Sequence, residues 1–197
     1  MYLASSSPRR CSLLEQIGVP FEVRPANISE ARHINEDPGV YVTRLACAKA
    51  DRVWGEMTGS EASPVLGADT IVVVDRQVLG KPRHARDALQ MLASLSGKTH
   101  LVLTAVAIRY GSRCRSEVSS SQVKFRETTE DELRAYVATG EPMGKAGSYA
   151  IQGMGAVFIE QITGSYSAVM GLPLNLTAAL LAEFELPGWL YSSETTL

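Results

Sequence analysis

The ten residues Val65-Leu66-Gly67-Ala68-Asp69-Thr70-Ile71-Val72-Val73-Val74 constrain this chain more than any other segment. A nearly unbroken, β-branched apolar run reads as a central strand. Asp69 stands within it. A buried carboxylate without a partner is costly, so it needs a cation, a metal or a shifted pKa. Backbone N–H groups at a strand end are the plainer alternative. Gly67 admits close approach of another group. A carboxylate so placed, bound to a metal or poised as a base, suits activation of water. Glu30, on a polar loop, is a candidate second carboxylate at such a site, and taken alone it also reads as a surface residue.

The segments around this strand alternate in type. Tyr2-Leu3-Ala4 reads as a short buried strand. A helix then starts with Ser7 as N-cap and Pro8 at its first position, buries Leu13, Leu14 and Ile17, and stops at Gly18. Residues 21–23 read as a second strand. Pro38 opens a long helix to about residue 57, and residues 59–64 form a loop. After the central strand, Asp75-Arg76-Gln77 turns the chain back through Val78-Leu79 to Gly80-Lys81-Pro82. A helix follows over 85–95. Residues 101–109 and 117–125 pair as a hairpin around Gly111-Ser112. Thr129 and Glu132 form a capping box for a helix to about 138. A glycine-rich stretch over 140–155 leads to a strand at 156–162. Pro173 starts a last helix to about 184, and residues 187–197 form a polar tail. Hairpins mixed with helices predict a single α/β domain over 1–186 whose sheet is not purely parallel.

Composition removes several classes of function. A net charge of −2 over 197 residues argues against a general nucleic-acid binder, which carries a basic surplus. The three cysteines, Cys11, Cys47 and Cys114, are far apart and odd in number, which fits a reducing cytosol rather than a disulfide framework. The N-terminus shows no secretory signal pattern, and no apolar run reaches the roughly 18 residues that span a bilayer. A cytoplasmic protein with neither a membrane nor a nucleic-acid partner is therefore expected. His33, His84 and His100 show no catalytic or metal spacing and read as surface or core residues. Ser96-Gly97-Lys98-Thr99 has the end of a phosphate-binding loop, but Leu92 replaces its first glycine. Gly153-Met154-Gly155 lacks the third glycine of a dinucleotide fingerprint.

Cations are placed unusually. Ser5-Ser6-Ser7-Pro8-Arg9-Arg10 joins three serines, a helix start and two arginines. Cations are normally unfavourable at the positive end of a helix, and an anion bound there would relieve the conflict. An ordinary cap with two solvated arginines is the other reading. On the long helix, Val42, Leu45, Ala46, Lys49 and Val53 share one face. Lys49 lies near the centre of that stripe, so it either snorkels out or finds an anion. Arg44 lies off the stripe and is expected to face solvent. A tight turn after the central strand would bring Lys81 to the same sheet end as Asp69.

Four ordered motifs resemble those of the Maf family: Leu3-Ala4-Ser5-Ser6-Ser7-Pro8-Arg9-Arg10, Gly67-Ala68-Asp69-Thr70-Ile71-Val72, Gly80-Lys81-Pro82 and Lys145-Ala146-Gly147-Ser148-Tyr149-Ala150-Ile151-Gln152-Gly153. Gly171-Leu172-Pro173-Leu174 extends the resemblance, which runs from about Tyr2 to Phe184. It implies the Maf and inosine-triphosphatase-like fold, an elongated mixed sheet flanked by helices with a cleft between two lobes. It implies hydrolysis of a nucleoside triphosphate to the monophosphate and pyrophosphate, with Mg2+ or Mn2+, in a protein that often forms homodimers. By the same resemblance Asp69 is the proton acceptor. Arg10, Thr70 and Gln152 bear on substrate choice. Ser5, Arg9, Lys49 and Lys81 bind phosphate, and Glu30 joins Asp69 at the metal.

The segment ending in Gln152-Gly153 resembles the branch acting on dTTP and UTP. A glutamine amide sets a donor beside an acceptor, matching the carbonyl and N3–H of uracil or thymine. The sister branch, acting on N7-methylguanosine triphosphate, has glutamate there, which only accepts. That specificity, and a non-enzymatic nucleotide-binding regulator of cell division, remain the alternatives.

Overall fold

The computed structural model describes residues 1–57 and 62–186. The tail expected over 187–197, and part of the loop expected over 59–64, lie outside them. Among the described residues seven strands form one mixed sheet, in the order β2-β1-β3-β5-β6-β7 with β4 paired to β3. The strands are β1 (Tyr2–Leu3), β2 (Glu22–Val23), β3 (Val65–Val74), β4 (Gln77–Leu79), β5 (Thr99–Tyr110), β6 (Arg113–Phe125) and β7 (Ile159–Thr163). β1 runs parallel to both β2 and β3, while β4 and β7 pair antiparallel with β3 and β6. The helices are α1 (Pro8–Gln16), α2 (Pro38–Trp54), α3 (Ala85–Leu95), α4 (Glu130–Ala138), α5 (Tyr166–Met170) and α6 (Leu174–Glu183). The architecture is the expected mixed α/β fold, a mixed sheet flanked by helices.

The chain forms two compact units, and β3, β5 and β6 contribute residues to both. Of the described residues, the first holds those within 1–69, 104–119 and 171–186. Its strand residues 65–69 are all buried, as an unbroken apolar run requires. Asp37 caps α2, its Oδ1 accepting from the N–H groups of Gly39 and Val40 at 2.8 and 3.2 Å. Val42, Leu45, Ala46, Lys49 and Val53 are buried together, as their spacing predicts. The helix lies against β3 at Gly67. A Cβ there would stand 2.2 Å from the Ala46 carbonyl oxygen and 2.8 Å from the Ala50 nitrogen. Only glycine permits that approach.

The second unit holds residues 70–103 and 120–170. Asp75 and Arg76 take the left-handed conformation, φ 48° and 65°, and make the tight two-residue turn that pairs Val72 with Leu79. The Thr129–Glu132 capping box forms as expected. The core here is aromatic. His100, Phe125 and Tyr149 meet edge to face with centroids 4.9–5.5 Å apart, and Phe158 adjoins Phe125 and Tyr136. His100 is one of the core histidines, with Nε2 2.9 Å from the Tyr149 hydroxyl.

Two local expectations are corrected. Ser7 occupies the N-cap of α1, but its side chain does not cap; the Ser7 N–H instead donates to Ser5 Oγ at 3.2 Å. The strand expected over 156–162 begins only at Ile159, because Met154–Phe158 coils as a 3₁₀ helix. The short helix α5 has too few turns to show a periodic pattern.

Gly67→Ala should destabilise the protein by about 1–3 kcal/mol in urea titrations, since helix backbone must move to admit one methyl. Burial lowers the His100 pKa to about 4 from its ordinary value near 6.5. The unfolded chain binds the extra proton between those values, so stability is full above about pH 6.5 and falls as pH drops to about 4. The loss should approach about 3 kcal/mol, and His100→Phe should abolish this slope. Glu36 and Glu132, lowered from 4.5 to about 2, begin to lose their own contribution below about pH 4.5, so the histidine slope is read between about pH 6.5 and 5.

Candidate active site

In the first unit α2 and β3 bring opposite charges together. The Lys49 ammonium donates to Asp69 Oδ1 at 2.6 Å and lies 2.7 Å from Glu30 Oε1. Lys49 and Asp69 are 7% and 6% exposed, while Glu30 lies at the solvent side. Of the alternatives open to Lys49, finding an anion prevails over snorkelling. Asp69 likewise has a cation for its partner. Buried charges survive only when paired in this way, and removing one partner leaves the other uncompensated.

Glu30 is delivered to this pair by its own loop. The Tyr41 hydroxyl donates to the Glu30 carbonyl at 2.7 Å. Arg44 grips Glu36 through two bonds, 2.6 and 2.8 Å, and donates to the Ala31 carbonyl at 3.1 Å. The Arg44 hydrogen bond is the main force holding the Glu36 carboxyl at about 2. Arg44 therefore does not merely face solvent: from α2 it ties down the segment that carries Glu30. Burial pushes the Tyr41 pKa up, and the negative field of Asp69 and Glu30 pushes it further.

The serine–arginine segment closes on itself. Arg10 is buried, donating Nε–H to the Gly171 carbonyl at 2.8 Å and Nη1–H to Ser5 Oγ at 3.0 Å. Burial lowers its pKa, opposed by Asp69, deepened by Arg9 and opposed again by Glu30. A guanidinium remains charged under such a shift. Arg10 thus adds a fixed positive charge within the field of Asp69. Arg9 is half-buried at the first turn of α1, and Ser6 is exposed.

The second unit carries the other candidates. Thr70 follows Asp69 on β3 and is half-buried. Lys81 is exposed, two residues beyond Leu79, the partner of Val72. Gln152 is exposed on a turn whose neighbours Ala150 and Ile151 are buried. Gly147, in the same motif, lies where a Cβ would come within 2.8 Å of the Val72 side chain.

The Maf-like protein family model matches residues 1–184. The chain belongs to the Maf family. A relative from Aromatoleum aromaticum, named dTTP/UTP pyrophosphatase, is 50% identical over 198 aligned residues, covering 95% of this chain and 96% of its own. One of the same name from Saccharophagus degradans is 47% identical, covering 96% and 90%. A third, from Shigella dysenteriae serotype 1, is 49% identical, covering 93% and 92%.

Sequence reasoning on this Maf chain missed the groups that hold the site rather than form it. Tyr41, Glu36 and Arg44 belong there, as does the Gly171 carbonyl. A backbone acceptor carries no residue-type signature, although Gly171 sits in a quoted motif and has φ 121°, which favours glycine. Among the described residues no group of three or more His, Cys, Asp or Glu is placed to hold a metal; Glu30 and Asp69 share the Lys49 ammonium. No helix among them is long and apolar enough to cross a membrane.

Lys49→Met should cost about 3–5 kcal/mol at neutral pH, because it strands Asp69 as a buried, unpaired carboxylate. Urea titration measures the loss. The double change Lys49→Met with Asp69→Asn should recover part of it.

Proposed function

We propose that this protein hydrolyses dTTP and UTP to the nucleoside monophosphate and pyrophosphate. The observation that carries this is near-full-length similarity, at 47–50% identity, to relatives named dTTP/UTP pyrophosphatase. The residues behind the family resemblance are all present, and the buried Lys49–Asp69 pair with Glu30 beside it supports a charged reaction centre.

Asp69 is the proton acceptor in this reading. It takes a proton from the water that attacks the α-phosphorus, and pyrophosphate leaves. Its backbone is held in a buried strand, so the carboxylate keeps its direction while charge develops. Lys49, placed against both carboxylates, neutralises them before substrate arrives and offers its ammonium to phosphate. Ser5, Arg9 and Lys81 bind phosphate oxygens. Arg10, Thr70 and Gln152 choose the substrate, Gln152 by pairing its amide with the carbonyl and N3–H of uracil or thymine.

Glu30 and Asp69 converge on one point, where the Lys49 ammonium now sits. That pair of hard oxygen donors fits Mg2+ or Mn2+, which needs only one or two carboxylates beside water and phosphate. The chemistry such an ion supplies when bound is neutralisation of charge on the phosphate oxygens. Cysteine spacing fits a reducing compartment, so a cytoplasmic location is proposed, and a homodimer is carried over from the family resemblance.

Asp69→Asn should lower pyrophosphate release by about 10²–10⁴-fold, the range for a general base, with an unchanged circular dichroism spectrum. A panel of dTTP, UTP, CTP and N7-methylguanosine triphosphate, assayed with and without chelator, tests the rest. Release should be greatest with dTTP and UTP and vanish on chelation. Preference for the methylated guanosine nucleotide would assign the sister specificity instead, and nucleotide binding without release would make the protein a regulator.

A further inference from the structure

Gln152 sits on a turn whose backbone is held from both sides by one phenol and one carboxylate. Glu141 Oε1 accepts from the Tyr136 hydroxyl at 2.7 Å and from the Gly155 N–H at 3.1 Å. Its Oε2 accepts from the Met154 N–H at 3.0 Å. The Tyr136 oxygen in turn accepts the Ala150 N–H at 3.2 Å. The turn from Ala150 to Gly155 is therefore anchored before and after Gln152. Tyr136 is itself fixed, 4% exposed at the end of α4 with its ring edge on Phe158 at 5.2 Å.

Gly153-Met154-Gly155 now has a physical explanation. A Cβ at position 153 would lie 2.4 Å from Glu141 Oε2, and one at 155 would lie 2.7 Å from the Tyr136 hydroxyl. Both glycines let backbone close on these two side chains. Burial raises the Glu141 pKa, but the bonds from Tyr136, Met154 and Gly155, with the charge of Lys145, outweigh it and hold the carboxyl below its ordinary value. An ionised carboxylate suits the site, because it only accepts and three donors converge on it. A glutamine there would turn an N–H toward a donor.

We propose that Glu141 and Tyr136 are positioning residues for base selection, acting through the Gln152 turn that they anchor. This rests on the reading of Gln152 as the residue that pairs with the base. Neither side chain need touch substrate. Their effect is to keep the Gln152 amide in one direction, so that its donor and acceptor meet a uracil and mismatch a cytosine. Loss of the anchor would spread that amide over several directions and weaken discrimination more than it slows the chemistry.

The experiment compares kcat and KM for UTP and CTP in four proteins: the parent, Glu141→Gln, Gln152→Ala and the double variant. Gln152→Ala should erase most of the UTP-over-CTP preference. Glu141→Gln should lower that preference about tenfold, mainly through KM for UTP, and should lower it no further when Gln152 is already alanine. Tyr136→Phe, which removes only the hydroxyl, should shift the preference in the same direction by less, and it replaces Glu141→Gln if that variant does not fold. If Glu141→Gln reduces UTP and CTP turnover by one common factor while Gln152→Ala still erases the preference, the two anchors are merely structural and the inference fails alone. A preference that survives Gln152→Ala would overturn the base-selection reading and the inference with it.

Discussion

The approach of α2 to β3 at Gly67 is the constraint on which the buried Lys49–Asp69 pair depends. With no side chain at that position, helix backbone comes within contact distance of strand backbone. Lys49 is then one helical turn from Ala46 and Val53, facing a strand that carries Asp69 two residues beyond Gly67. The ammonium and the carboxylate meet at 2.6 Å with both residues buried. Such a pair is weak evidence for stability, since desolvation takes back much of the attraction. Its value is in what it leaves ready: a carboxylate held in one direction by a buried contact, beside a cation able to exchange partners.

Around that pair the first unit works by tethering. Tyr41 and Arg44 hold the loop of Glu30, and Arg10 joins Ser5 to the Gly171 carbonyl. Three of these bonds run from side chain to backbone, across 11 to 161 positions of sequence, and the Arg10–Ser5 bond joins two side chains. They make a polar loop and a serine-rich segment hold fixed positions without regular structure of their own. The protein as a whole is slightly acidic, so the positive charge of Arg9, Arg10 and Lys49 is a local arrangement and not a property of the whole surface.

The second unit solves a different problem. Its aromatic core, centred on Phe125 and Tyr149, supports a glycine-rich turn that has little apolar surface of its own. Order in that turn comes from the Tyr136–Glu141 bonds and from glycines that tolerate their closeness. Membership of the Maf family, and relatives named dTTP/UTP pyrophosphatase, give the turn its context, because its sequence is one of the motifs behind that resemblance.

The sequence by itself determined the central strand, the capped helices, the hairpins and the burial of the α2 stripe, because these follow from periodicity and capping within a short window. It also singled out Asp69, Lys49 and Gly67, since a charge in an apolar run and a glycine in a strand each require an explanation. Only the tertiary structure decided that these explanations are the same one. Whether Lys49 snorkels or pairs, whether Arg44 is solvated or grips Glu36, and where Arg10 sends its bonds all depend on groups distant in sequence. The same holds for Glu141, whose backbone partners Met154 and Gly155 lie 13 and 14 positions away. Residue type records what a side chain can bond; the partner it finds is set by long-range packing, which local pattern does not encode.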